Sequence, residues 1–149
     1  MKRLALLCSL ACVLSFSFAQ TSPVRWSYTA VKKDALTYEV KIIASINSGW
    51  HLYSQATPDG GPVATKISFN KNPLLTMDGT PKEDGKMVTR YEEVFGVDTK
   101  YYADKVEFVQ TVKLKGKAKT NATGKLEYMV CNDQQCLPPT TISFNVALN

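Results

Sequence analysis

Histidine occurs once in this 149-residue chain, at His51, and cysteine only four times. So few soft ligands leave little for a metal centre, since a structural zinc wants four protein ligands. Helical periodicity is almost absent after the first nineteen residues, which removes the signal of amphipathic helices. No second long apolar run follows the first, so no further membrane span is expected and the mature protein should be soluble. No basic run carries interleaved aromatics, which removes nucleic acid from the expected partners. Repeats, low-complexity tracts and linkers are also missing, and the length suits one domain.

What is present begins with residues 1–19, which read as a secretory signal peptide. Lys2 and Arg3 form a positive start, an apolar stretch runs from Leu4 to about Phe18, and Ser17-Phe18-Ala19 supplies small residues before Gln20. The expected location is therefore periplasmic or secreted. Residues 20–149 remain as the mature domain, with about 130 residues to bury a core without help from disulfides. Removing Lys2 and Arg3 from 18 basic side chains leaves 16 against 13 acidic ones, a net charge of +3 spread along the chain. Cys8 and Cys12 leave with the signal. Only Cys131 and Cys136 stay, in an exported protein where disulfides persist.

Period-two alternation organises the mature chain. Trp26 and Tyr28 open a strand. Leu36, Tyr38, Val40, Ile42, Ala44 and Ile46 alternate along a long second one. Val63, Thr65, Ile67 and Phe69 predict another. Val106, Phe108, Gln110, Val112 and Leu114 share a face, as do Leu126, Tyr128 and Val130, and Ile142, Phe144, Val146 and Leu148. Between them Pro58-Asp59-Gly60-Gly61-Pro62, Asn72-Pro73, Asp78-Gly79, Asp84-Gly85 and Gly116 signal turns. The pattern predicts an all-β, immunoglobulin-like antiparallel sandwich, with a barrel as the alternative.

Cys131 and Cys136 flank the tip Asn132-Asp133-Gln134-Gln135 of an expected hairpin between the strand ending at Cys131 and the one starting near Thr140. Three readings stand. As a staple, the pair closes so short a loop that the chain-entropy gain is only about 2 kcal/mol. As a metal clip, it would need His51 and Met129 to complete a copper or zinc site. As a switch, it would exchange disulfides, for which short and exposed pairs are suited. Pro138 and Pro139 fix the chain leaving Cys136 and interrupt ladder pairing there.

Two further stretches stand out. In Gly49-Trp50-His51-Leu52-Tyr53-Ser54-Gln55, Trp50 and Leu52 alternate onto one face, and His51 and Tyr53 onto the other. An imidazolium beside a thiol would favour the thiolate. Tyr91-Glu92-Glu93-Val94-Phe95-Gly96 reads as an exposed loop with an apolar tip, either tucked into its own domain or covering a reactive group.

GWHLYSQ, YEEVFG and YMVCNDQQCLPP, in that order behind a signal peptide, together resemble the N-terminal periplasmic domains of DsbD-type thiol:disulfide interchange proteins. The resemblance covers most of the mature chain, and the cysteine pair with its following prolines is its most specific part. It implies an immunoglobulin-like sandwich with a redox-active Cys131–Cys136 pair and no cofactor. Its implied partners are a membrane-embedded DsbD-like reductase and thioredoxin-fold periplasmic proteins, including disulfide isomerases and a cytochrome c maturation thioredoxin. Cys136 would form the mixed disulfides, with His51, Tyr53 and Pro138 as surroundings. Glu92, Glu93, Val94, Phe95 and Gly96 would form the cap loop that shields the sulfurs. Three departures are visible: four residues between the cysteines instead of five, His51 where a tyrosine is usual, and Val94-Phe95 in the cap. The membrane core and thioredoxin-like domain of such proteins would be separate chains. The rivals are a non-enzymatic binding module with a structural disulfide, and a copper-handling role.

Overall fold

The computed structural model describes residues 22–149; the expected signal peptide lies outside them. The described residues contain eleven strands and no helix, and all pairings are antiparallel. Strands β1 (Val24–Lys32), β2 (Thr37–Ile46), β8 (Lys105–Leu114) and β5 (Leu75–Gly85) form one sheet in the order β1-β2-β8-β5. Strands β11 (Thr140–Leu148), β9 (Thr120–Tyr128) and β4 (Lys66–Phe69) form the second, in the order β11-β9-β4. A third sheet, β10-β3-β7-β6, is built from β10 (Val130–Cys131), β3 (His51–Tyr53), β7 (Val97–Tyr102) and β6 (Val88–Glu92). The architecture is the expected immunoglobulin-like sandwich.

The alternating residues do what their period dictates. Tyr38, Val40, Ile42, Ala44 and Ile46 of β2 and Val106, Phe108, Val112 and Leu114 of β8 are buried in one core. Ala122, Leu126 and Tyr128 of β9 and Phe144, Val146 and Leu148 of β11 complete it from the other layer. Each such large apolar side chain contributes about 1.5–3 kcal/mol on full burial. Against that sum, the modest entropic gain of a six-residue disulfide loop is a minor contribution to the fold.

Gln110 shares the buried face of β8, and β5 explains why. The pairing of β5 with β8 shifts register between Asp78 and Lys82. The Gln110 amide donates to the carbonyl of Asp78 at the bulge, at 3.0 Å, and to that of Thr111 on its own strand, at 2.8 Å, so the buried amide is itself satisfied. Asp78-Gly79 is therefore not a turn between strands but a bulge within β5, whereas Asp84-Gly85 ends β5 where the chain turns into β6.

Two other expectations need correction. The strand expected from Val63 begins at Lys66; Val63 is exposed beside Pro62, which offers no N–H to a ladder. The strand expected to run unbroken to Cys131 stops at Tyr128. There β9 keeps its partner β11, with Thr140 opposite Tyr128, while Val130 and Cys131 leave that ladder and pair with β3.

Gly124 allows the second layer to close. A Cβ there would run into the Phe144 ring and the Ser68 carbonyl, where Phe69 and Phe144 meet edge to face at 5.1 Å. Gly124→Ala is expected to destabilise the domain by about 1–3 kcal/mol, as overpacked cores do. Chemical denaturation checks this, and an unchanged midpoint would count against so tight an approach.

Candidate functional site: a half-buried cysteine pair in a cleft

The third sheet sorts its side chains by parity. Val130 lies opposite Leu52, and Leu52 opposite Tyr102; these three face the main core. Cys131 lies opposite His51, and Tyr53 opposite Tyr101, on the other face. On that face Tyr53, Tyr101 and Cys131 form a second buried cluster, with Val88 and Met129 against it. A slip of one residue in either pairing would turn the cysteine and histidine into the core. Strand register thus joins His51 to Cys131, a proximity that the separation of eighty residues along the chain conceals.

The cysteines are bonded to each other and form an isolated antiparallel bridge. The Leu137 amide donates to the Val130 carbonyl and the Asn132 amide to the Gln135 carbonyl, both at 2.9 Å, on either side of the pair. Cys131 and Cys136 therefore occupy a non-hydrogen-bonded position, where opposed strands approach most closely. Their Cα atoms are 4.0 Å apart, nearer than the roughly 4.4–6.8 Å usual for disulfides. Asn132 closes the tip: its Oδ1 accepts from the amides of Gln134 at 2.9 Å and Gln135 at 2.8 Å, an Asx turn. Cys131 is 2 % exposed, whereas Cys136 is open to solvent.

The YEEVFG segment ends β6 and makes the turn into β7. The Glu92 carbonyl accepts from the amides of Phe95 at 3.1 Å and Gly96 at 2.8 Å, and Gly96 adopts a φ of 69°, the left-handed conformation that closes such hairpins. Val94 stands at the tip, 90 % exposed, while Phe95 is half-buried. A cleft of about 410 Å³ separates this turn from the cysteine loop. His51, Glu92, Glu93, Val94, Phe95, Cys131 and Cys136 line it; Pro138 is exposed and does not.

A polar network ties the turn to the sulfurs' strand. The Tyr53 hydroxyl lies 3.3 Å from both oxygens of Glu92, and Thr99 Oγ1 donates to Glu92 Oε1 at 2.8 Å. His51 Nε2 is 3.1 Å from Tyr53 Oη and 3.9 Å from Glu92 Oε1. Burial, the Glu92 charge and the hydrogen bond to it raise the Tyr53 pKa well above its ordinary value, so the phenol keeps its proton and donates it to Glu92. His51 Nε2 must then carry hydrogen and donate to Tyr53 Oη. Burial lowers the His51 pKa, with Glu92 acting in the opposite direction. Arg90 lies over the Tyr101 ring at 5.6 Å and reaches Asp133 of the cysteine loop at 3.8 Å. Asp133 is 88 % exposed on its side chain, so that ion pair contributes little energy but links the two loops.

Of the predicted residues, the structure gathers Cys131, Cys136, His51 and Glu92 through Phe95 at one cleft; Tyr53 is buried behind it, tied to His51 and Glu92, and Gly96 and Pro138 do not line it. Arg90, Thr99 and Tyr101 were missed. Counting back by two from Glu92 would have given Arg90, but nothing local marks Tyr101. Among the described residues no cluster of three or more His, Cys, Asp or Glu side chains is arranged to hold a metal.

Fold and site together define a β-sandwich domain built around a two-cysteine centre. The chain belongs to the family of the N-terminal domain of the thiol:disulfide interchange protein DsbD, whose family model matches residues 19–148. Among solved structures it is similar to the reduced N-terminal domain of DsbD from Neisseria meningitidis, at 20% identity and a TM-score of 0.57, over 85% of this chain and 86% of that one. The same domain in complex with the N-terminal domain of PilB, also from Neisseria meningitidis, matches at 17% identity and a TM-score of 0.52, over 80% of each chain. The N-terminal periplasmic domain of ScsB from Proteus mirabilis matches at 20% identity and a TM-score of 0.50, over 82% of this chain and 44% of that one. At these identities the likeness establishes the fold. No curated protein matches the chain in sequence.

The histidine makes stability depend on pH with a definite sign. Its folded pKa lies below the unfolded value, so the unfolded chain takes up the proton first as pH falls. The contribution of neutral His51 is complete above about pH 6.5 and is lost as pH drops towards the depressed folded value. The urea midpoint should therefore fall between about pH 7.5 and about pH 5.5 by more in the wild type than in His51→Gln. Equal falls would show that His51 is not buried as described.

Proposed function

We propose that this domain is a periplasmic thiol-disulfide exchange protein that relays electrons from a membrane-embedded DsbD-like reductase to thioredoxin-fold clients through Cys131 and Cys136. The observation that carries this is the asymmetry of the pair. One sulfur-bearing residue is open to solvent in a cleft and the other is buried beneath it. A structural staple gains nothing from such a cleft, whereas exchange needs one sulfur that a partner can reach and one that waits behind it. Membership of the DsbD N-terminal family supports the chemistry. The complex of the neisserial relative with a PilB domain supports a protein partner, and the ScsB domain, itself periplasmic, supports the location.

In the forward direction the Cys136 thiolate attacks a client disulfide. A Cys136–client bond forms, and the other client sulfur leaves with the electron pair. The Cys131 thiolate then attacks Cys136 Sγ, closing the Cys131–Cys136 disulfide and releasing the second client thiolate. The client gains two electrons and the domain loses two, which the membrane reductase restores. His51, Tyr53 and Pro138 form the surroundings of the pair. Glu92 to Gly96 form the cap, with Phe95 half-buried at the cleft and Val94 at its exposed tip, open to an approaching partner. A signal peptide over residues 1–19 delivers the domain 20–149.

Removing the resolving thiol should trap the intermediate. Cys131→Ser is expected to accumulate a reductant-sensitive adduct through Cys136 with an oxidised thioredoxin-fold protein, seen on non-reducing gels. The reduction potential of the wild-type pair should lie well above about −300 mV, the level below which secreted structural disulfides typically fall. No adduct together with a potential below that level would return the pair to the role of a staple.

A further inference from the structure

Cys131 presents a chemical problem that the exchange cycle leaves unsolved. Its residue is 2 % exposed, and its neighbours are the rings of Tyr53 and Tyr101. A thiol in such apolar surroundings resists ionisation, yet only the thiolate resolves a mixed disulfide. Cys136, at the open end of the pair, can lose its proton to water; Cys131 needs an acceptor inside the site.

The chain's one histidine is the residue directly opposite it. Side chains of directly opposed residues start about 4.5–5.5 Å apart at Cβ, within reach of each other. His51 is held rather than loose. Its ring lies against Tyr101 with centroids 4.5 Å apart, and its Nε2 is committed to Tyr53. Because Tyr53 donates onward to Glu92, the hydrogen on the ring sits at Nε2, leaving Nδ1 as the basic atom. Nδ1 makes no hydrogen bond among the described residues, and His51 lines the cleft that holds both sulfurs.

Resting on the exchange role proposed above, we infer that His51 is the general base that takes the proton from Cys131 when that thiol resolves the mixed disulfide. The proton moves from Cys131 Sγ to His51 Nδ1. The resulting thiolate forms the bond to Cys136 Sγ, and the bond from Cys136 to the client sulfur breaks with its electron pair on the client. The imidazolium then returns its proton to the departing thiolate or to water. While charged, the ring keeps its Nε2 hydrogen bond to Tyr53 and has the Glu92 carboxylate 3.9 Å away as counter-charge. The other groups that bear on it are Arg90 on β6, Tyr101 on β7 and Asp133 at the loop tip. Arg90 opposes the charge and Asp133 favours it. His51 is neutral near pH 7, the form a base requires, because burial holds its pKa down.

The two thiolate steps separate when the fully reduced protein meets one equivalent of dithiobis(nitrobenzoate). Attack by Cys136 releases the first coloured thiolate and resolution by Cys131 releases the second. His51→Gln is expected to leave the first release within about twofold and to slow the second by about 10²-fold, the scale of a lost general base. The wild-type second release should level off above about pH 6.5, while in the variant it keeps rising into the thiol range. A second release with unchanged rate and pH profile in His51→Gln overturns the inference. His51→Asn serves in the same measurement if the glutamine variant does not fold. A wild-type protein that yields no second release fails differently: it overturns the exchange role itself, and the base with it.

Discussion

Everything distinctive about this domain depends on a two-residue strand pairing. At Met129 the chain leaves the β9–β11 ladder, and Val130 and Cys131 cross to β3. Val130 enters the main core opposite Leu52, which anchors the crossing with apolar burial. The period of two then forces Cys131 onto the other face, opposite His51. The prolines after Cys136 complete the device. Lacking N–H groups, they cannot extend the ladder, so the return chain runs free until Thr140 meets Tyr128.

The cleft face of the third sheet is a polar network laid over an aromatic floor. Glu92 is its centre. Its carboxylate gathers Tyr53, Thr99 and the edge of His51, and its backbone carbonyl closes the turn that carries Val94 and Phe95. A buried carboxylate without such donors would cost several kcal/mol; with them it fixes the turn and sets the histidine tautomer together. Glu83 plays a parallel part at the start of the next loop. It accepts from Ser54 at 2.6 Å, the Gln55 amide at 2.7 Å and Tyr102 at 2.9 Å, tying β5 to the chain leaving β3. The end of β3 and the chain leaving it are thus held by carboxylates from other strands, which suits a short strand with few ladder bonds of its own.

The sandwich was legible because burial on one face writes itself into the sequence as alternation. Tyr38 to Ile46, Val106 to Leu114 and Phe144 to Leu148 all lie where that pattern puts them. The pattern failed where local chemistry was countermanded from a distance. Asp78-Gly79 has the composition of a turn, yet a glutamine from β8 satisfies its carbonyls and keeps it within β5 as a bulge. Leu126 to Val130 alternates without a break, yet the strand ends at Tyr128, because the choice of partner between β11 and β3 is made by packing rather than by period.

From the sequence alone follow the all-β class, the two faces of β3, the turn at Glu92 to Gly96 and the closeness of Cys131 to Cys136 across a short polar tip. Each follows from spacing along the chain, where period two, turn chemistry and cysteine count act locally. It took the tertiary fold to set His51 opposite Cys131, to bring Tyr53 to Glu92, and to bury one cysteine while the other faces solvent. Those contacts join residues tens of positions apart, and they exist because strand register, fixed by which faces must be buried, brings them to one cleft.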